Sequence, residues 1–387
     1  MKQPHLPHCA PELEASYPGL HELVLQIRAR RKEFETQRHV SKDIIEAFRR
    51  LGVYRALVAR RFGGNECSPA EFCRLVETLS SADASAGWVA SFGIGAIYLS
   101  ALPVSTLEKI YAQGPDQVFA GGIFPPQPAA AAEGGLRVRG RWSFASGCMG
   151  ADLIGVGIVP EDGGTGALPR MAVLPRGKAS IERNWEVMGL LGTGSHDLVV
   201  EDVVVAREWT FERGSASSLD TPLFRYPALS FATQVLSVVG LGIGRAAIDE
   251  VLAMASNRVS VTGAPNLGER AYVQMEIARI EAELRAARAW FYEAIDDAWQ
   301  VLLAGQVLSP QHISMLRLSS THASRVGADV ARRAQMLTGM TGVYEASPLA
   351  QQVRDAQMVT QHAFMGDITY QNAGAMLFGH KPLPGYL

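Results

Sequence analysis

The stretch that decides the fold is Gly-Leu-Leu-Gly-Thr-Gly-Ser-His-Asp-Leu-Val-Val-Glu-Asp-Val-Val-Val, residues 189–205. A glycine-rich turn is followed here by a run of mainly β-branched residues, which is typical of a β-strand. Similar short runs, separated by turns rich in glycine and proline, extend from about residue 118 to this point. They predict a β domain of about six to eight strands, in which the Pro- and Ala-rich stretch 125–132 forms a loop.

The sequence before this β region shows helical patterns over about residues 11–113. Four apolar residues recur with the spacing of one helix face: Leu20, Leu23, Val24 and Ile27. Ser41 and Gly52 are expected to cap the two ends of a further helix. Ser68, followed by Pro69, is expected to begin another helix, because serine favours the N-cap and proline the first helical position.

Helical patterns return after Pro222. We predict four long helices there, at about residues 224–256, 268–304, 309–338 and 347–378. The first contains Gly240, Gly242 and Gly244, which come nearest in this chain to the glycine pattern of a dinucleotide-binding turn. No strand precedes these glycines, so close packing between helices explains them better, and the chain shows no site for NAD(P)H.

Composition restricts the functional class. The 387 residues include 36 Lys and Arg against 38 Asp and Glu, and no basic run of the kind that a nucleic-acid-binding protein requires. The nine histidines and four cysteines show no metal-ligand spacing, so we expect no metal site. The cysteines, which are Cys9, Cys67, Cys73 and Cys148, predict a reduced, cytoplasmic location. The amino terminus has no apolar core of a secretory signal.

Two long stretches carry no charged residue, 84–104 and 227–244. Their length, roughly 18 residues or more, reaches that of a membrane span. They are nevertheless rich in Gly, Ala and Ser and have no asymmetric flanking charge. We therefore expect helices that are buried inside the protein and no membrane association.

Three segments carry the functional information, and they occur in a fixed order. They are residues 140–148 (GRWSFASGC), 189–195 (GLLGTGS) and 342–363, which contains Ser-Pro-Leu, Arg-Asp and Gln-His-Ala. Together with Ala-Gly-Trp at 86–88, they resemble the acyl-CoA dehydrogenase superfamily over roughly residues 20–379. More narrowly, they are similar to its flavin-dependent monooxygenase branch, which includes the oxygenase component of p-hydroxyphenylacetate hydroxylase, dibenzothiophene monooxygenase and indole-oxidising enzymes.

The resemblance implies an α+β fold of three domains. These are an N-terminal helical domain (11–115), a middle β-barrel or β-sandwich domain (116–210) and a C-terminal four-helix bundle (220–380). It also implies a homotetramer and a two-component system, in which a separate NAD(P)H:flavin reductase supplies the reduced flavin, FMNH2 or FADH2. Oxygen would pass from a flavin C4a-hydroperoxide to an aromatic or heteroaromatic, phenol- or indole-like molecule. The missing nicotinamide motif agrees with this arrangement.

The resemblance also implies the cofactor-binding residues. Ser146 matches the residue whose hydroxyl contacts flavin N5, and it counts as catalytic for that reason. Phe144, two residues earlier, is expected on the same strand face, packed on the flavin ring. Thr193, Gly194 and Ser195 are expected to line the ring. Arg258 resembles an arginine that pairs with a flavin phosphate, although an exposed arginine at a helix end is an equal alternative.

His362 is the best catalytic candidate. Acyl-CoA dehydrogenases usually carry a glutamate base a few residues after an Arg-Asp pair. The residues at that distance from Arg354 and Asp355 are Gln361, His362 and Ala363. No carboxylate is present. A histidine with a near-neutral pKa would take a proton from the substrate or orient the hydroperoxide.

The expected substrate pocket is apolar. Trp88, Phe92 and Tyr98, with His362, would line it, although the three aromatic residues fit an ordinary core equally well. Ala96 stands where several relatives carry a second histidine, which favours an indole or other heteroaromatic substrate over a phenol. N- or S-oxygenation, an acyl-CoA dehydrogenase and a catalytically silent helical scaffold stay open as alternatives.

Overall fold

The computed structural model describes residues 11–161, 169–257 and 265–387. In this part of the chain, eight helices precede the first strand: α1 (Pro11–Ser16), α2 (Leu20–Ala29), α3 (Arg31–Gln37), α4 (Lys42–Leu51), α5 (Pro69–Ala82), α6 (Ala84–Ala90), α7 (Gly95–Leu99) and α8 (Val104–Tyr111). Two of the three predicted caps are confirmed. Ser41 precedes α4, but its hydroxyl donates to Glu33 and makes no capping hydrogen bond to the helix. Gly52 ends α4 at φ 90°, which a glycine adopts without strain. The Ser68 hydroxyl accepts the backbone N–H of Glu71 and begins α5.

The middle of the chain forms one sheet. Its strands are β1 (Phe119–Ala132), β2 (Gly135–Trp142), β3 (Leu153–Pro160), β4 (Arg170–Pro175), β5 (Ser180–Glu182), β6 (Asp197–Val205) and β7 (Thr210–Glu212). The order across the sheet is β5-β6-β2-β1-β3-β4-β7, and only the β1–β3 pairing is parallel. The number of strands agrees with the prediction. The described strands form a single open sheet, however, and do not close into a barrel.

The expected loop at 125–132 is wrong, because this stretch belongs to β1. Its last four residues pair with β2, from Ala129 opposite Val138 to Ala132 opposite Gly135. The register against β3 is interrupted between Gly122 and Gln127. This interruption contains the two prolines at 125 and 126, which lack the N–H that a ladder needs. The strand therefore tolerates prolines that, in the sequence alone, predict a loop.

The long helices of the carboxy-terminal region are α10 (Ala228–Asn257), α11 (Ala271–Leu303) and α12 (Pro310–Leu337), which follow the short α9 (Pro222–Arg225). Helix α10 packs between α12 and α5. A Cβ atom on Gly240 would lie 2.9 Å from the Cα atom of Ser324, and one on Gly242 would lie 2.6 Å from the Cβ atom of Ser80. The glycines thus allow close helix packing, as predicted.

The fourth predicted helix, 347–378, is divided. Helix α13 (Pro348–Gln361) ends at His362, which adopts an extended conformation with φ −64° and ψ 139°. A short 3-10 turn (Ala363–Met365) then leads to α14 (Ile368–Leu377). The break places His362 at a helix end. None of the described helices combines the length and apolar character that crossing a bilayer requires.

The domain bounds 11–115, 116–210 and 220–380 stay a prediction. Their contents nevertheless agree with the helix–sheet–helix order of the described elements.

Candidate active site

A chain of three buried hydroxyl groups lies where β2 and β6 meet the helices. The Ser146 hydroxyl is 2.7 Å from that of Ser195, which is 2.7 Å from that of Thr193. The Thr193 hydroxyl donates to the backbone oxygen of Leu190 at 2.8 Å, which gives the chain a direction. Ser146 also accepts the indole N–H of Trp88 at 3.1 Å. The structure thus unites residues from three separate sequence segments.

The turn that carries Ser146 differs from the expectation. Strand β2 ends at Trp142, so Phe144 and Ser146 do not share a strand face. Phe144 adopts φ 63°, and its carbonyl accepts the N–H of Ser146 at 2.9 Å. This left-handed conformation is unfavourable for a residue with a Cβ atom. It reverses the chain and leaves the Phe144 ring 70% exposed, in edge contact with Trp185.

The neighbouring loop, residues 189–195, is held from several sides. Gly147 donates its backbone N–H to the Thr193 carbonyl at 2.9 Å, and Gly192 donates to the Ser85 hydroxyl at 3.1 Å. Leu190 also has a positive φ, 50°, and it donates its N–H to the Asp355 carboxyl at 2.6 Å. Strained backbone of this kind, held in place by many surrounding contacts, is typical of functional sites.

Asp355 belongs to a buried cluster of charged residues. Asp83 caps α6 by accepting the Ala86 N–H at 2.8 Å, and it accepts the side-chain amide of Gln351 at 3.1 Å. Burial, and then the nearby Asp83 carboxyl, raises the pKa of Asp355 to about 8. Arg31 partly offsets the negative charge, while its own pKa is lowered by burial. Asp355 of the Arg-Asp pair therefore supports the loop from α13.

His362 lies beside this hydroxyl chain. Its ring is in edge contact with Trp88, with 5.8 Å between ring centroids, and with Phe364 at 4.8 Å. The backbone N–H of Phe364 donates to Nδ1 of His362 at 3.3 Å. A neutral imidazole that accepts at Nδ1 carries its proton at Nε2. Trp88 therefore connects the Ser146 hydroxyl to His362.

The expected near-neutral pKa of His362 is wrong. Burial lowers its pKa to about 4, and the positive charge of Arg213 acts in the same direction. At pH 7 the ring is neutral. It is consequently a weak base and a hydrogen-bond donor through Nε2–H.

The remaining predicted site residues do not all lie close to His362 in the described part of the chain. Tyr98 lies within hydrogen-bonding reach of Arg213, whose guanidinium is 5.4 Å from the ring centre of Phe364. Phe92 is half-buried, and no ring contact joins it to Trp88 or His362 among the described residues. Arg258 lies outside the described residues, so the structure says nothing of it.

Sequence reasoning missed several residues of the site. Arg213, Phe364 and Trp185 lie near the predicted residues, but each is a common residue type in an unremarkable stretch of sequence. Only the tertiary structure brings them there. The Arg-Asp pair at 354–355 did carry a signal, since it served as the reference point for locating His362.

Comparison with known families supports the fold described above. Residues 23–102 match the acyl-CoA dehydrogenase N-terminal domain, and residues 234–367 match an acyl-CoA dehydrogenase C-terminal domain. The chain superposes on the crystal structure of 3-HSA hydroxylase from Rhodococcus sp. RHA1 with a TM-score of 0.90. That match has 24% identity and covers 98% of this chain and 100% of the other, so it demonstrates the shared fold.

Two relatives align over nearly their whole length. The chain is 62% identical to the indole-3-acetate monooxygenase of Pseudomonas putida over 377 residues, 97% of this chain and 96% of that protein. It is 30% identical to the oxygenase component of the FADH(2)-dependent resorcinol hydroxylase of Rhizobium sp. (strain MTP-10005), with 93% of each chain covered.

Proposed function

Because this chain belongs to the acyl-CoA dehydrogenase superfamily and, within it, to the flavin-dependent oxygenase components, we propose that it hydroxylates the indole ring of indole-3-acetate. It is a flavin-dependent monooxygenase that uses reduced flavin and O2 on aromatic or heteroaromatic molecules. The full-length identity of 62% to an indole-3-acetate monooxygenase carries the choice of substrate. The apolar aromatic surroundings of His362 support it.

The residues around Ser146 fit a flavin ring. The exposed ring of Phe144 offers an apolar face next to a buried chain of hydroxyls, in which Ser146 can still accept a hydrogen bond. The isoalloxazine of a flavin needs both kinds of contact. When it is bound, reduced flavin activates O2 and provides the oxygen atom that is transferred. We propose that Phe144, Ser146, Thr193, Gly194 and Ser195 hold it.

Each site residue would then have a distinct role. Ser146 positions the ring through its hydroxyl, which Trp88 and Ser195 hold in place. His362 donates from Nε2–H to orient the reacting oxygen or the substrate, because its lowered pKa makes it a poor proton acceptor. Trp88 and Tyr98 form the apolar walls and exclude water. Phe92 and Arg258 keep their proposed roles in substrate and phosphate contact.

The enzyme works with a separate flavin reductase, as the oxygenase components of two-component systems do. We further propose a homotetramer. Exposed apolar side chains of the carboxy-terminal region support an association surface: Met336, Met340, Val343, Tyr344, Leu377 and Phe378. Light scattering coupled to gel filtration tests this assembly, and a monomeric mass in solution would exclude it.

The function is tested by oxygen incorporation. The purified protein is supplied with a flavin reductase, NADH, flavin, 18O2 and indole-3-acetate, and the products are analysed by mass spectrometry. We expect a product that carries one 18O atom and requires both components. Indole-3-acetate that stays unchanged, while all consumed O2 appears as hydrogen peroxide, would refute the proposed substrate. Bound flavin that is reduced by an acyl-CoA would instead identify a dehydrogenase.

A further inference from the structure

Arg213 is a half-buried cation without an anionic partner among the described residues. It follows β7, and its backbone N–H donates to the Pro169 carbonyl at 3.2 Å. The Nε–H group is buried and has no hydrogen-bond acceptor among the described residues. No ion pair joins this guanidinium to a carboxylate in the same described part of the chain. Most other buried or half-buried arginines have such partners, as Arg170 does with Glu212.

A guanidinium that is partly buried and has no counterion is unfavourable. Desolvating a charge costs free energy unless hydrogen bonds and an opposite charge offset the loss. The aromatic ring of Phe364, with its centre 5.4 Å away, and the nearby Tyr98 hydroxyl satisfy only part of this requirement. Buried donors that lack a protein acceptor call for an explanation, and a bound anion is one.

The location of Arg213 connects it to the substrate pocket. The Phe364 ring contacts the His362 ring and also lies next to the Arg213 guanidinium. The charge of Arg213 is close enough to lower the pKa of His362, and it also acts on Tyr98. Because His362 is neutral, it offers no countercharge to an acidic substrate. Arg213 is the positive charge that acts on these pocket residues.

We infer that Arg213 binds the carboxylate of an aromatic acid substrate and so selects acidic over neutral indoles, an inference that rests on the proposed function. Arginine suits this role because its planar fork of N–H donors matches a carboxylate. The Nε–H would form one of the two bonds. With the carboxylate held there, the indole ring lies on the side of His362 and Trp88, where oxygen transfer would occur.

The test is a specificity ratio. kcat/KM is measured for indole-3-acetate and for 3-methylindole, which has the same ring and no carboxylate, with a reductase and reduced flavin supplied. In Arg213→Gln we expect the ratio of acid to neutral substrate to fall by about 30-fold or more, mainly through KM, as for the loss of a buried charged partner. Arg213→Lys keeps the charge and loses the planar fork of N–H donors. We expect its ratio to lie between those of the wild type and Arg213→Gln.

The matched control is Arg225→Gln, since Arg225 is a more exposed arginine that pairs with Asp220. Its ratio is expected to equal that of the wild type. The ratio does not depend on the fraction of folded enzyme, because both substrates are measured on one preparation. An unchanged ratio in Arg213→Gln overturns the inference and leaves the proposed function standing. Wild-type enzyme that oxidises neither indole overturns both.

Discussion

Asp355 provides a pH-dependent contribution to stability that one substitution isolates. Burial and the neighbouring Asp83 raise its pKa to about 8, whereas an aspartate in an unfolded chain titrates at about 4. Between these values the folded protein holds a proton that the unfolded chain has released. The free energy of unfolding therefore falls as pH rises through this window, by about 1.4 kcal/mol per pH unit for this group.

His362 acts in the opposite sense at lower pH. Its pKa is lowered to about 4, while an unfolded histidine titrates at about 6.5. Its contribution rises with pH between these two values, which offsets the fall from Asp355. Of these two contributions, only the fall from Asp355 remains above pH ~6.5. Over the ~1.5 units up to pH 8 it amounts to about 2 kcal/mol.

The perturbation is Asp355→Asn. An asparagine keeps the side-chain oxygen that accepts the Leu190 N–H, and it does not ionise. We expect the variant to gain about 2 kcal/mol relative to the wild type between pH 6.5 and 8. Urea unfolding followed by tryptophan fluorescence measures the difference, since Trp185 lies against the same loop. The control is Asp220→Asn, whose carboxylate is 91% exposed. A difference between wild type and Asp355→Asn that is constant over this range would refute the reasoning.

Three further predictions concern the site and the bundle. His362→Ala should abolish formation of the hydroxylated product and spare the binding of reduced flavin. In the wild-type enzyme, turnover between pH 6 and 8 should show no titration of this ring. Unchanged turnover in the variant would exclude the assigned role. Phe144→Gly should stabilise the fold by about 1 kcal/mol by relieving a left-handed conformation and should weaken reduced-flavin affinity, as urea and flavin titrations would measure. Gly327→Ala should lower the free energy of unfolding in urea by about 1–3 kcal/mol, because the new Cβ atom would lie 2.1 Å from the Gly240 oxygen. Gly374→Ala is the control and should not destabilise the protein, because its Cβ atom would meet no atom within 4 Å.

Local patterns in the sequence were sufficient for most of the architecture. The caps at Ser68 and Gly52 depend on neighbouring residues only, and the β-branched run at 197–205 forms β6 as expected. Long-range pairing overrode the local signal at 125–132, where β2 and β3 supply partners to a stretch rich in proline. The prediction of loop structure there had no access to those partners.

The site was predictable in part. The resemblance identified Ser146, Thr193 and Ser195, and the structure joins their hydroxyls into one chain. The lowered pKa of His362 depends on burial and on Arg213, which is 149 positions away in the chain and has no sequence signal. The turn at Phe144 reverses direction through a positive φ, which the residue type disfavours. Such features arise only when distant elements meet.

The bond between Leu190 and Asp355 has a consequence for how the protein is made. It spans 165 positions, and the contact between Asp83 and Gln351 spans 268. A ribosome completes the sheet long before it adds α13. The glycine-rich loop therefore cannot form its hydrogen bond with Asp355 until synthesis is almost finished. Contacts of such long range also slow folding. A nascent chain truncated before residue 355 would carry every hydroxyl of the site and still lack the support that fixes their loop.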